Sequence, residues 1–233
     1  MKIVEGIEAR GKALWIVKSK MLVIADLHIG YEEALNKQGV LVPRMMFEEM
    51  KKELENLLKL KPKIIVANGD LKHEFGEISK QEWFETLDIL DMLMEKSKVV
   101  LIRGNHDTIL GPIARKKGLE IEDYYCVGDI CIVHGDKIIE NNDVKKSKVI
   151  IIGHEHPAVS IREGVKQEIY KCFLVGKWKN KKLIVMPSFF SVFEGSDVKK
   201  EKLLSPYLHN IRNFDVYVLG DKVYWFGKLK NIK

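Results

Sequence analysis

Long hydrophobic runs are missing from this chain of 233 residues: no apolar stretch approaches the roughly 20 residues that a membrane-spanning helix requires. The features of a secretory signal are missing too, because Glu5, Glu8 and Arg10 fall where a signal peptide needs an unbroken apolar core. These two absences predict a cytoplasmic protein that does not contact a membrane.

Cysteine is scarce, with only Cys126, Cys131 and Cys172 in the whole chain. None of the three has the spacing of a metal-binding thiolate site, and an odd number of isolated thiols argues against a disulfide framework. We therefore expect three small, mostly buried apolar side chains without a bridge.

Linkers, low-complexity segments and internal repeats are also absent. Hydrophobic residues make up 46% of the chain and charged residues 31%, which is typical of a globular protein rather than a disordered one. A chain of this length can bury a sizeable core. We therefore predict a single domain over residues 1–233.

The charge balance is mildly basic, with a formal net charge of +6. A basic surface attracts polyanions such as nucleic acids. Lysine and glutamate are both abundant, however, and many of these charges are typical of ordinary solvated faces. The charge favours a phosphate-rich partner without requiring one.

The first half of the chain alternates short β-branched runs with amphipathic helical segments. Helices are predicted over residues 43–61, with Pro43 in the first turn, over 78–96, with Ser79 as the N-cap, and over 113–118. From about residue 119 short strands dominate. This order predicts the α/β class, with two sheets packed face to face and helices on the outside.

Five of the apolar segments end in side chains that commonly bind metal ions. These side chains are Asp26 and His28, Asp70, Asn105, His134, and His154 and His156. Ligands of α/β proteins bind in the crevice beyond the carboxyl ends of the strands. Glycines in several of the turns, among them Gly153, allow close approach of the backbone and positive φ angles. We therefore expect the seven side chains to converge on one site.

Seven ligands exceed the needs of one tetrahedral ion and suit two divalent ions bridged by a carboxylate. The set mixes oxygen and imidazole donors without a thiolate, which favours Mn, Fe, Zn or Co over Mg. Each motif alone also occurs in ordinary loops. Their number and their order along the chain favour a shared metal site.

The order D-x-H, G-D, G-N-H-D, H, G-H-x-H resembles the calcineurin-like metallophosphoesterase superfamily over about residues 21–190. The segments ADLHIGYE and GDLKH are most similar to archaeal SbcD-related phosphoesterases, and bacterial DNA-ligase-associated phosphoesterases look similar. The resemblance implies a four-layer α/β/β/α sandwich of two mixed sheets flanked by helices. It also implies a dinuclear site that is often active with manganese.

The resemblance also implies a role for each matching residue. One ion would be held by Asp26, His28 and His156, the other by Asn105, His134 and His154, and Asp70 would bridge the two ions. His106 matches the catalytic histidine, which contacts the phosphate and protonates the leaving oxygen. His73 matches a histidine that lies near the catalytic one and helps to position the substrate.

We expect the protein to hydrolyse a phosphodiester with two divalent ions, Mn²⁺ first among them, and with His106 as the general acid. DNA, RNA and nucleotides are candidate substrates. The alternatives are a module that binds DNA or a repair partner, and a phosphomonoesterase of small molecules. The oligomeric state stays open, with a homodimer among the alternatives.

Several nearby residues have two interpretations. Asp107 either orients His106 or caps the turn, and we favour orientation. Tyr31 and Glu32 are predicted to begin a helix rather than to shape the site. The aromatic residues Phe189, Phe190 and Phe193 are predicted to pack in the core or a lid rather than to stack on a base. Arg103, Arg44 and His209 are predicted to lie away from the site.

Overall fold

A computed structural model describes residues 1–40, 45–74, 76, 78–191 and 195–232. The strands of the first sheet are β1 Lys2–Val4, β2 Ile7–Arg10, β3 Ala13–Ile16, β4 Met21–Ile24, β5 Ile64–Asn68, β6 Lys98–Ile102 and β7 Ile121–Glu122. The strands of the second sheet are β8 Tyr124–Val127, β9 Ile130–Val133, β10 Val149–Ile152, β11 Pro157–Glu163, β12 Lys166–Trp178, β13 Lys181–Val185, β14 Ser196–Asp197, β15 Asp215–Leu219 and β16 Val223–Lys228. The helices are α1 Tyr31–Lys37, α2 Met46–Leu58, α3 Lys80–Lys96, α4 Gly111–Lys116 and α5 Asn142–Lys146.

The first sheet keeps the order of the chain, from β1 to β7. Strands β1 to β4 pair antiparallel, whereas β4 to β7 pair parallel. Each parallel step is joined by a helical connection: α1 and α2 before β5, α3 before β6, and α4 before β7. Parallel strands need such crossovers, and the alternation predicted for the first half of the chain is confirmed.

The second sheet is mixed and has the main order β14-β11-β12-β13-β10-β9-β8, with β15 and β16 attached beside β12. Its centre consists of β9, β10 and β13, which run parallel to one another. The carboxyl ends of these three strands therefore meet at one edge of the sheet.

Apolar side chains fill three layers. The central layer lies between the two sheets and includes Val23, Val66, Ile151 and Phe173. A second layer packs the first sheet against α2, α3 and α4. The third layer covers the outer face of the second sheet with α5 and with the irregular segment 203–214. The predicted two mixed sheets with outer helices are confirmed, although the cover of the second sheet is mostly irregular chain.

The predicted helices form with shifted ends. The helix predicted over 43–61 is α2, and Pro43 and Arg44 lie outside the described residues. The N-cap of α3 is as predicted, because Ser79 Oγ accepts the N–H of Glu82 at 3.0 Å. No helix in the described part of the chain is both long and apolar enough to cross a membrane.

The prediction of three unbridged cysteines is wrong for two of them. Cys126 and Cys131 lie directly opposite each other in the β8–β9 hairpin and form a disulfide, with their Cα atoms 4.1 Å apart. Their spacing of five residues hides this pairing, because it arises from the register of the hairpin. Cys172 is free and buried as expected, and burial raises the pKa of its thiol.

Candidate metal centre

The predicted ligands meet where the carboxyl ends of strands from both sheets adjoin. Asp26, His28, Asp70 and His156 offer ligand atoms that all lie within 4.8 Å of one another. A second group, with the same spacing, consists of Asp70, His134 and His154. Asp70 belongs to both groups, which is the position expected of a bridging carboxylate.

In the first group the candidate ligand atoms lie very close to one another. His28 Nε2 and His156 Nε2 lie 3.2 Å apart, and His156 Nε2 lies 3.5 Å from Asp26 Oδ1. Asp26 is fully buried and its carboxylate also accepts the backbone N–H of His154 at 3.1 Å. Two imidazole nitrogens and a carboxylate oxygen thus face the same small volume.

The second group is centred on His134. Its Nδ1 lies 3.2 Å from the carbonyl oxygen of Asn68, and since a carbonyl only accepts, this nitrogen carries the proton. Nε2 lies 3.4 Å from Asp70 Oδ2 and 3.1 Å from Asn105 Oδ1. Both of these oxygens are acceptors, so Nε2 is protonated as well in the metal-free site, and a metal ion would take the place of that proton on Nε2. A backbone carbonyl that fixes the tautomer of a ligating histidine is common in metal sites.

Glycines beside the ligands leave room for them. A Cβ on Gly69 would lie 2.2 Å from His134 Nδ1, one on Gly104 would lie 2.1 Å from Asp70 Oδ1, and one on Gly153 would lie 2.6 Å from Asp26 Oδ2. Gly153 is not among the glycines with positive φ, so its role is space rather than the turn that the sequence suggested.

The backbone is left-handed at five of the seven predicted ligands. The φ angles are 55° at Asp26, 46° at His28, 45° at Asp70, 64° at His154 and 47° at His156. This conformation disfavours side chains with a Cβ and costs about 1 kcal/mol or more per residue. Such strain clusters at functional sites, where the surrounding fold maintains it.

Burial and the mutual charges of the carboxylates and imidazoles together set the pKa values of the site. Burial opposes ionisation of both, but the imidazoles of His156 and His134 hold the pKa of Asp26 below its usual value, and His134 does the same for Asp70. Burial alone would lower the pKa of His134, yet its contacts with Asp70 and Asp26 raise it to about 9. Burial and then the charge of His156 lower the pKa of His28 to about 3.

This donor set fits divalent cations. Asp26 is 0% exposed and Asp70 is 2% exposed, and two buried carboxylates within one site need compensating positive charge. Imidazole nitrogens and the amide oxygen of Asn105 supply the remaining predicted ligands, a mixture typical of transition-metal sites. The residues required by the resemblance are therefore all present in one place.

His106 and His73 lie beside the predicted metal ligands. The ring of His106 donates from Nδ1 to the carbonyl oxygen of His73 at 2.6 Å, and its Nε2 lies 3.9 Å from Asp70 Oδ2. The backbone N–H of His106 also donates to Asp70 Oδ1 at 2.8 Å. The imidazole of His106 is thus fixed at the edge of the metal site.

A cleft of about 200 Å³ opens in front of these histidines. Its lining consists of His28, Tyr31, His73, His106, His156, Ser188 and Phe190. Tyr31 begins α1 as predicted, but its ring also lines the cleft, with its centroid 4.3 Å from that of His73. The expectation that Tyr31 does not shape the site is therefore wrong.

The segment after β13 forms one wall of this cleft. Ser188 Oγ donates to the carbonyl oxygen of Asp26 at 2.8 Å, and the ring centroid of Phe190 lies 5.2 Å from that of Tyr31. Phe189 is buried in the core as predicted, whereas Phe193 lies outside the described residues. The position of Ser188 and Phe190 in the sequence could have indicated their place at the site, because they follow β13, which runs parallel to β10 and ends at the same edge of the sheet.

Asp107 and Glu155 hold the backbone of the site. Asp107 Oδ1 accepts the N–H of Leu71 at 3.1 Å and Oδ2 accepts that of Gly104 at 2.9 Å. It thus ties together the turns after β5 and β6 rather than orienting the ring of His106, and burial raises its pKa to about 6. Glu155, which the sequence did not single out, accepts the N–H of Ser205 at 2.8 Å.

The remaining predicted residues lie away from the site. His209 is exposed, as expected. Arg103 is half-exposed beside Asp123, with 4.0 Å between Nε and the carboxylate, and it lines a different surface from the cleft.

Comparisons with known proteins agree with this geometry. A probable metallophosphoesterase of Methanocaldococcus jannaschii is 29% identical over 160 residues, which cover 64% of this chain and 66% of that protein. The DNA polymerase II small subunit of the same organism is 24% identical over 173 residues, which cover 64% of this chain and 29% of that protein. The chain thus spans less than two thirds of the length of either relative.

The fold is shared with a solved structure. The crystal structure of Pseudomonas putida nuclease MPE superposes with a TM-score of 0.67 at 19% identity, covering 92% of both chains. A family model of calcineurin-like phosphoesterases matches residues 19–223. Since that match includes most of the sequence, the chain belongs to the calcineurin-like phosphoesterase family, a family of metal-dependent hydrolases.

Proposed function

We propose that the protein hydrolyses phosphodiesters of the nucleotide or nucleic-acid type with two divalent ions, Mn²⁺ first among the candidates. The observation that carries this proposal is the pair of ligand groups that share Asp70, directly beside His106 and an open cleft. Asp26, His28 and His156 would hold one ion, and Asn105, His134 and His154 the other.

Two ions bound there supply Lewis acidity, which lowers the pKa of water and neutralises the phosphate oxygens. The side chains of the protein supply the proton transfer and the contacts with the substrate. His106 Nδ1–H donates to the His73 carbonyl, so the opposite nitrogen, Nε2, is the one that can carry a proton to the leaving oxygen. The ring of His73 lines the cleft beside it and contacts the departing group.

The aromatic lining of the cleft favours a phosphodiester substrate that carries a flat substituent. Tyr31, His73 and Phe190 present aromatic surface next to His106, and base–aromatic stacking is a common way to hold a nucleotide. At about 200 Å³ the cleft is smaller than the roughly 300–1,000 Å³ of most ligand pockets. It therefore suits the reacting phosphate and one adjoining group, such as a single nucleotide unit. The fold shared with Pseudomonas putida nuclease MPE is consistent with a substrate of the nucleotide or nucleic-acid type.

A second candidate is a non-catalytic subunit that binds DNA or a repair partner. The similarity to a DNA polymerase II small subunit favours it. The complete set of seven buried or half-buried ligands argues against it, because a site without catalysis gains nothing from strained and desolvated polar residues.

The cytoplasmic location and the single domain remain predictions, and whether the protein forms a homodimer stays open.

Hydrolysis of bis(p-nitrophenyl) phosphate with added Mn²⁺ tests the proposal. We expect metal-dependent turnover of this diester by the wild type. In His106→Ala we expect turnover of a diester with a poorer leaving group, the phenyl ester of thymidine 5′-phosphate, to fall about 100-fold or more, because a positioned general acid contributes about 10²–10⁴. The p-nitrophenyl diester is affected less, because p-nitrophenolate leaves without a proton. We expect the metal content of His106→Ala, measured by elemental analysis, to equal that of the wild-type protein. His209→Ala is the matched control, since His209 is exposed and is not one of the residues that line the cleft.

The outcomes separate the candidates. Turnover of p-nitrophenyl phosphate but not of the diester would assign a phosphomonoesterase. No turnover with Mn²⁺, Fe²⁺, Zn²⁺ or Co²⁺, together with salt-sensitive binding of DNA, would assign the binding subunit. A comparison of dinucleotides with the aryl diester then reports whether the aromatic cleft favours nucleotide substrates.

A further inference from the structure

Glu82 is a buried carboxylate that reaches from α3 to the turn carrying His73. It lies in the first turn of the helix and is 1% exposed. Its Oε1 accepts the backbone N–H of His73 at 2.9 Å and that of Glu74 at 3.1 Å. The N–H of His73 is shared with the carbonyl oxygen of Ile29, also at 2.9 Å.

The peptide unit between His73 and Glu74 links this carboxylate to His106. Its N–H points to Glu82 Oε1, and its carbonyl oxygen accepts from His106 Nδ1 at 2.6 Å. A trans peptide is planar, and its N–H and C=O point in opposite directions. A carboxylate that holds the N–H therefore fixes the direction of the carbonyl and, because hydrogen bonds in series polarise one another, strengthens it as an acceptor.

The neighbouring residues leave space for the Glu82 side chain and place a positive charge near its carboxylate. A Cβ on Gly30 would lie 2.8 Å from Glu82 Cγ, so the glycine leaves the space through which Glu82 passes. Lys72, which is fully buried, donates from Nζ to the carbonyl oxygen of Glu74 and brings a positive charge close to the carboxylate. Burial nevertheless raises the pKa of Glu82 above its usual value.

We propose that Glu82 is a positioning residue for His106, acting through the peptide unit between His73 and Glu74. This inference rests on the proposed function, in which His106 protonates the leaving oxygen. The carboxylate aligns the His73 carbonyl, the carbonyl holds Nδ1–H of His106, and the ring then presents Nε2 to the leaving group. Glu82 itself does not touch the substrate.

Leaving-group dependence provides the kinetic test. A p-nitrophenolate leaves readily without a proton, whereas a phenolate needs the acid. For Glu82→Leu we expect kcat for the phenyl ester of thymidine 5′-phosphate to fall at least about 10-fold, a part of the roughly 10²–10⁴ that a general acid contributes. For the p-nitrophenyl ester we expect a fall of less than about three-fold, and KM stays unchanged for both. In Glu82→Gln, which keeps an acceptor oxygen, we expect kcat for the phenyl ester to stay close to that of the wild type.

Glu32→Gln is the matched control for the loss of a buried carboxylate. Glu32 is 5% exposed and its Oε1 accepts the N–H of Phe47 at 2.9 Å, a contact that does not lead to His106. We expect this variant to affect both esters equally. If Glu82→Leu behaves in the same way, with equal losses for the two esters, Glu82 has only a structural role and the proposal is overturned.

A second measurement does not depend on activity. In metal-free protein with ¹⁵N-labelled histidine, we expect the Nδ1–H resonance of His106, assigned by its loss in His106→Ala, to shift in Glu82→Leu and in Glu82→Gln but not in Glu32→Gln. An unchanged resonance in both Glu82 variants contradicts the inference. A wild-type protein without turnover contradicts the proposed function instead, and the resonance then still reports on Glu82.

Discussion

Single atoms decide the geometry of the metal site at the scale of the residue. His134 is a usable ligand because one carbonyl, that of Asn68, holds the proton on Nδ1 and leaves Nε2 towards Asp70. His106 is oriented by another carbonyl, that of His73. Neither contact follows from residue type, because every residue has a carbonyl and only the fold decides where it points.

Gly104 provides the first prediction at this scale. In Gly104→Ala the new Cβ would lie 2.1 Å from Asp70 Oδ1 and 2.2 Å from the backbone nitrogen of Asp70, so Asp70 must move. Overpacking costs about 1–3 kcal/mol, which corresponds to about 10–100-fold weaker binding of Mn²⁺. Isothermal titration calorimetry measures the affinity. In Gly76→Ala, where a Cβ meets no atom within 4 Å, we expect no change, and equal affinities in all three proteins would contradict the prediction.

At the scale of the element, the long strand β12 supports the wall of the cleft. Lys171 donates from Nζ to the carbonyl oxygens of Ser188, at 3.0 Å, and of Phe190. One lysine thus holds both ends of the turn that carries Phe190. The same strand pairs with β13 and with β15, so the position of the turn depends on the centre of the second sheet.

Lys171 also predicts how stability depends on pH. Burial, and then the charge of Lys12, lower the pKa of Lys171 from 10.5 to about 7, against the opposing effects of Asp26 and Glu53. Between these two values the unfolded chain binds the proton and the folded chain does not, so the stability of the folded state rises as the pH rises from about 7 to 10.5. Urea unfolding at pH 7 and pH 9.5, in metal-free protein, measures this change.

Lys171→Met is the variant for this prediction, because it keeps the length of the side chain without the titrating group. We expect its free energy of unfolding to rise less between the two pH values than that of the wild type. Lys148→Met is the control, since Lys148 lies on the surface and forms a salt bridge with Asp129. An identical rise in wild type and Lys171→Met would show that other groups cause the pH dependence.

At the scale of the whole molecule, the residues of the predicted metal site join the two sheets. Asp26, Asp70 and Asn105 follow strands of the first sheet, whereas His134, His154 and His156 follow strands of the second. The two buried carboxylates thus come from one sheet, and imidazoles from the other contact them. A cation bound between them therefore connects the two halves of the sandwich.

This arrangement predicts that metal stabilises the entire fold. An ion present at about 100 times its Kd adds about 2.7 kcal/mol, which for a chain of this size corresponds to an increase in Tm of roughly 5–10 °C. Differential scanning calorimetry with Mn²⁺ and with EDTA measures the shift. We expect the shift to be much smaller in His134→Ala and unchanged in His209→Ala. Equal shifts in both variants would place the stabilising ion elsewhere.

The sequence predicted the fold and the candidate ligands because both have local signals. Parallel β-strands show as continuous apolar runs, and ligands that follow such runs meet at one edge whatever the details of packing. Asp26, His28, Asp70, His134, His154 and His156 all follow this rule, and the structure brings them together. Their roles as ligands stay predictions until an ion is measured.

Only the tertiary structure decided which groups face one another, even between segments that are close along the chain. The pairing of Cys126 with Cys131 came from a hairpin register, the place of Tyr31 in the cleft from the packing of α1, and the reach of Glu82 to the turn of His73 from the packing of α3. A sequence specifies which groups are available and how each segment is patterned. The direction of a carbonyl or of a buried carboxylate depends on how those segments pack in three dimensions, and no local pattern records it.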